Sequence, residues 1–124
     1  MTASTALVWI GVTLIGGVGS VTRFLADRAV ARKAARPFPF GTLTVNITGA
    51  LLLGFLSGLA LSKNVSLLTG TAFVGAYTTF STWMLETQRL GEERQIRSAA
   101  CNIVASVVMG VVATLLGQWI AGQL

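Results

Sequence analysis

The 124-residue chain has no histidine, one cysteine, two prolines and only four acidic residues. Without histidine the commonest general base and zinc ligand is gone, and a lone cysteine excludes a disulfide within the chain. Cys101 falls inside an apolar run and reads as a small apolar residue. No nucleophile, base and orienting group can be assembled from what remains, so the sequence predicts no enzyme. Charge is scarcer still: charged residues make up 10% of the chain and hydrophobic ones 53%, where a soluble domain carries about a quarter charged.

The few charges are clustered. They leave uncharged runs of 22, 26, 22 and 27 residues, at Met1–Thr22, Pro37–Ser62, Asn64–Leu85 and Ser98–Leu124. Each run exceeds the roughly 18 to 20 residues that cross a hydrocarbon core of about 30 Å. The sequence therefore predicts an all-α membrane protein, a single domain over 1–124, with four transmembrane helices at about 4–24, 40–61, 66–88 and 97–121. Met1 to Leu7 lacks the basic region of a secretory signal, so the first run is expected to remain as a span. An isoelectric point near 10.8 raises the question of nucleic acid, but the basic residues flank spans and no aromatic-interleaved basic surface exists, so no nucleic-acid partner is expected.

The first link, Arg23 to Arg36, carries Asp27 four residues after Arg23, and Arg28 and Arg32 four apart. That spacing predicts that the first helix continues into the interface for a basic turn or two before Pro37 and Pro39 close it. The first and third links hold eight Lys or Arg, and Lys63 stands alone on the other side. By the positive-inside rule both termini lie outside the cytoplasm.

Small and polar residues are arranged along the spans. Thr42, Asn46, Ala50, Gly54 and Gly58 follow at intervals of four in the second run, and Asn102, Ser106, Gly110 and Thr114 repeat the design in the fourth. Small residues so spaced let helix backbones approach closely. A Ser or Thr such as Ser57 or Thr114 ordinarily bonds its own preceding turn. Asn46 cannot satisfy its amide that way and needs a partner, in a helix-pairing contact or an ion path. The third run has its poorest helix propensity from Gly75 to Thr82, which predicts a break at midplane with exposed carbonyls able to bind a cation. Phe80 and Trp83 share a face three residues apart, and Thr82 and Glu86 share a neighbouring one. Packing or lipid contact is the ordinary role of such an aromatic pair, and snorkelling to the interface that of Arg23 and Glu86.

Together, Gly16–Arg23 (GGVGSVTR), Gly41–Gly49 (GTLTVNITG) and Gly75–Glu86 (GAYTTFSTWMLE) closely resemble the Fluc, or CrcB, family of fluoride channels. The resemblance runs in order through the first three spans, with a weaker match in the fourth. It implies a multi-pass protein of the bacterial inner membrane, a dimer of two antiparallel four-helix subunits with two narrow fluoride pores, and a central structural sodium ion held by the Gly75 and Thr78 carbonyls of both broken third helices. It further implies Asn46 as a pore amide, Phe80 and Trp83 as the aromatic pair, and Ser81, Thr82 and Glu86 as a polar route. Asn102 and Ser106 would line the pore from the fourth span, with Arg23 and Thr42 at a vestibule. Two positions depart from the family pattern: Trp83 stands where Phe is usual, and Asn102 where a Tyr or another ring is expected.

The function so implied is passive export of cytoplasmic fluoride, which relieves its toxicity. Fluoride holds water tightly, so a selective path must replace that water with closely spaced donors, and a fixed Lys or Arg inside would trap the ion. Two other classes compete. A four-span multidrug/proton antiporter needs a membrane-embedded carboxylate, and Glu86 lies at a span end. A non-conducting subunit would use the small-residue ladder only for packing. An antiparallel homodimer also conflicts with the eight-to-one basic bias, which favours pairing with an oppositely oriented paralogue.

Overall fold

A computed structural model describes all residues, Met1–Leu124, and every regular element in it is helical. Helix α1 spans Ala3–Ala34. Thr2 caps it by accepting the Thr5 amide at 3.3 Å; Arg32 and Lys33 in its last turn oppose the negative end of the helix dipole, and left-handed Ala35 stops it. The basic extension expected after the first span is thus helical and continuous with it. Helix α2 spans Phe40–Gly58, beginning directly after Pro39 and ending three residues short of the predicted boundary. Helix α6 spans Ile96–Ala121. These three helices are long and apolar enough to cross a membrane.

The intervening segment is not one helix. It opens as α3 (Lys63–Ser66), capped by Ser62, widens into a π-helix over Leu67–Val74 and returns to one α turn, α4 (Gly75–Tyr77). The chain then goes extended at Thr78, with ψ 160°, and resumes as α5 (Ser81–Glu92). The predicted break is present, three residues beyond Gly75. The π turns carry no sequence signature that separates them from an ordinary helix, and this part of the segment was expected to be α.

Only 14 of the 124 residues are buried, so most of the large apolar side chains, among them Leu14, Val18, Val111 and Trp119, face outward. Such a surface suits hydrocarbon rather than water. What holds the helices together is close approach of small residues. A Cβ on Gly54 would meet the Thr114 carbonyl, and one on Gly117 the Leu51 carbonyl, so α2 and α6 touch backbone to backbone. The ladder read on α2 does meet α6 there. On α6, however, the residues buried at its C-terminal half are Ala113, Gly117 and Ala121, a small-residue stripe at intervals of four that the sequence reading passed over. Ser57 bonds the Gly54 carbonyl at 2.8 Å and Thr114 the Gly110 carbonyl at 2.9 Å, the local bonding expected of both; Thr114 also reaches the Ala50 carbonyl at 3.4 Å. Helix α1 closes the opposite side of the bundle against the π-helix, α4 and α2, and α5 packs on α6.

Candidate functional site

The interruption between α4 and α5 is held open by one side chain. Asn46 of α2 accepts the Thr79 amide on Oδ1 at 2.8 Å and donates Nδ2 to the Thr79 carbonyl at 2.8 Å. In a continued helix the Thr79 amide would bond the Gly75 carbonyl, four residues back. Likewise the Thr82 amide would bond the Thr78 carbonyl, but it goes to Thr79 Oγ1 at 3.3 Å, capping the start of α5. The two carbonyls singled out from the sequence for a cation, Gly75 and Thr78, are therefore among those stripped of their helical donors at the break, together with Ala76 and Tyr77 between them, and none of the four receives a hydrogen bond. Neutral oxygens without donors are the ligands a hard monovalent cation accepts, so the residues present fit such an ion.

Around the break the polar groups form a connected set. Thr79 Oγ1 lies 3.4 Å from Ser81 Oγ and 3.2 Å from Thr82 Oγ1. Tyr77 and Thr48 share a hydroxyl contact of 2.8 Å, which ties α4 to α2. About one and a half turns into α5, Glu86 Oε1 accepts from Thr42 of α2 at 2.6 Å. Thr42 is nearly fully buried, so Glu86 points inward across the bundle instead of snorkelling. A cavity of about 180 Å³ joins Arg23 and Asp27 of α1 to Thr42, Thr79 and Thr82. Arg23 and Thr42, both assigned to a vestibule, thus share one chamber. Asp27 lines it too, a place its four-residue spacing from Arg23 foreshadowed.

On the other side of Asn46 runs a groove of about 440 Å³ lined by Asn46, Trp83, Ser106, Gly110 and Thr114. An adjoining one of about 290 Å³ includes Asn46, Thr78, Thr79, Phe80 and Trp83. No Lys or Arg lines either groove. The Phe80 and Trp83 rings meet edge to face, with centroids 5.7 Å apart and planes at 80°. In this geometry one ring turns its positive edge to the face of the other. Phe80 is 69% exposed on the isolated chain, and Ser106, which lines the first groove, has its Oγ buried without a partner.

Asn102 is placed differently from the other residues expected at the pore. It is 1% exposed and lies between α5 and α6, where Nδ2 donates to Thr87 Oγ1 at 2.9 Å. Thr87 escaped the sequence reading, although its four-residue spacing from Trp83 set both on one face.

Apolar outward surfaces, backbone-close helices and a polar interruption inside the bundle define a multi-pass helical membrane protein. Residues 10–118 match the sequence profile of the family described as CrcB-like protein, Camphor Resistance (CrcB). A relative from Mycobacterium tuberculosis, named "Fluoride-specific ion channel FluC 2", is 75% identical over 124 residues, covering 98% of each chain. One of the same name from Mycolicibacterium paratuberculosis is 70% identical over 95% of this chain and 97% of its own. A "Fluoride-specific ion channel FluC 1" from Leifsonia xyli is 38% identical over 95% of this chain and 89% of its own. The chain belongs to the CrcB family.

Proposed function

We propose that the protein is a fluoride-selective channel of the bacterial inner membrane that releases cytoplasmic fluoride down its electrochemical gradient. The observation that carries this reading is the pair of grooves at Asn46, lined by an amide, hydroxyl residues and the Phe80–Trp83 aromatic pair and free of fixed cations. A small anion exchanging its water for such dipoles is held strongly enough to enter and weakly enough to leave. The names of the full-length relatives support fluoride as that anion.

In this reading the segment from α3 through α5 is the third of four spans, and 1–124 is one membrane domain. Ions enter at the chamber where Arg23 and Asp27 stand beside Thr42, pass the hydroxyls of Ser81 and Thr82 near Glu86, and cross between Asn46 and the Phe80–Trp83 pair, with Ser106 lining the groove beyond. The functional unit is an antiparallel dimer in the lipid bilayer, formed with a second copy or an oppositely oriented paralogue. Support for a partner comes from the exposed Phe80 ring and from a groove of about 490 Å³ along α2 and the π-helix that contains both Gly75 and Thr78. Sodium is the cation proposed for those carbonyls, where its charge would compensate oxygens from both breaks.

Vesicles loaded with fluoride test the function. Purified protein should release fluoride and retain chloride; proton-coupled uptake of cationic drugs would instead establish the antiporter, and silence with every paralogue supplied the non-conducting subunit. Phe80→Ile should lower fluoride efflux at least about a hundredfold while leaving the elution volume unchanged, since isoleucine fills the space without offering a polarised edge. Replacing sodium by a bulky organic cation throughout purification should lower the dimer's melting temperature by several degrees and leave an unrelated membrane protein unaffected; an unchanged melting curve would remove sodium from the assembly.

A further inference from the structure

The two departures from the family pattern touch each other. Trp83 Nε1 donates to the Asn102 carbonyl at 3.2 Å. Asn102 Nδ2 donates to Thr87 Oγ1 at 2.9 Å, and Thr87 Oγ1 donates to the Trp83 carbonyl at 2.8 Å. The three bonds close a ring that crosses from α5 to α6 and back. A helix carbonyl keeps a second lone pair, so accepting the indole breaks no helical bond of α6. Asn102 is among the most completely buried side chains of the chain, and its Oδ1 has no donor. The one bond this buried amide makes is through its nitrogen, to Thr87, and its oxygen goes unsatisfied.

From this ring we infer that Asn102 and Thr87 are positioning residues that fix the Trp83 indole with its N–H turned to α6, so that the ion path meets only the ring of Trp83. The inference rests on the fluoride-channel reading for its consequence. An indole N–H directed into the groove is a strong, fixed donor, and fluoride bound to it would leave slowly. With the N–H occupied, tryptophan presents a polarised ring to the groove, as phenylalanine does. Asn102 is then a brace behind the aromatic pair, one turn before Ser106, which lines the groove.

Indole nitrogen labelling gives three tryptophan signals, Trp9, Trp83 and Trp119, and Trp83→Phe assigns one of them. The bonded Trp83 N–H should exchange with deuterated water at least about tenfold more slowly than the other two. Fluoride titration should leave its frequency fixed. Thr87→Val and Asn102→Ala should both move the signal and speed its exchange, whereas Thr87→Ser, which keeps the hydroxyl, should match the parent in spectrum and in fluoride efflux. Efflux in Thr87→Val should fall several-fold. A Trp83 signal that shifts saturably with fluoride in the parent would overturn the inference, as would one indifferent to both Thr87→Val and Asn102→Ala. Should the spectral pattern appear while parent vesicles carry no fluoride, the brace stands and the channel reading falls.

Discussion

Asn46→Asp abolishes fluoride efflux, to below about 1% of the parent rate, with the protein still folded. Two losses combine. The carboxylate can still accept the Thr79 amide, but it no longer donates to the Thr79 carbonyl, to which Asn46 now gives Nδ2 at 2.8 Å. Leaving that half-buried acceptor unmet costs up to about 1–3 kcal/mol. The larger effect is electrostatic: a negative charge about 4 Å from a passing anion raises its energy by roughly 4 kcal/mol at an effective dielectric of 20, about a thousandfold in rate. Vesicle efflux and size-exclusion profiles measured side by side check this, and parent-like flux would remove Asn46 from the path.

Gly54→Leu is expected to cost the protein its fold. A Cβ at this position meets the carbonyl, carbonyl carbon and Cα of Thr114, and backbone atoms within a helix cannot swing aside as a side chain can. To make room α6 must move away from α2, giving up the approach of Gly117 to Leu51 and of Gly58 to Ala121 as well. Overpacking of this kind costs about 3 kcal/mol or more, and membrane helices have little hydrophobic drive to recover it. Aggregation on size exclusion and a lowered melting temperature are the expected signs. Gly17→Ala, where an added Cβ meets nothing within 4 Å, should behave as the parent. If Gly54→Leu melts with the parent, the interface between α2 and α6 is not held by backbone proximity.

The limits of the sequence reading follow from what one-dimensional spacing can encode. That Asn46 needs a partner is a statement about a single residue in hydrocarbon, and it was legible. That the partner is the Thr79 backbone depends on how α2 and the interrupted helix are juxtaposed, which spacing does not carry. The break was legible because Gly75 through Thr82 are poor helix formers, but its position at Thr78 is set by Asn46 drawing off the Thr79 amide, a tertiary effect. The ladder on α2 was read correctly because Gly54 and Gly58 are unmistakably small. On α6 the polar residues drew the reading toward Asn102, Ser106, Gly110 and Thr114, while the quieter stripe of Ala113, Gly117 and Ala121 carries burial at the far end. The Trp83–Asn102 contact joins residues nineteen apart across two helices, and only the family pattern marked both positions as unusual.

The length of α1 has a bearing on how the protein is made. Its 32 residues extend about 48 Å, some 18 Å more than the bilayer core requires, and the surplus carries Arg28, Arg32 and Lys33. For a finished molecule to turn over, those side chains would have to traverse oil at roughly 2.5–3.5 kcal/mol each. Orientation is therefore decided once, as the nascent chain leaves the insertion machinery. Any antiparallel assembly must draw on two populations sorted at birth, and the cell sets their ratio through synthesis.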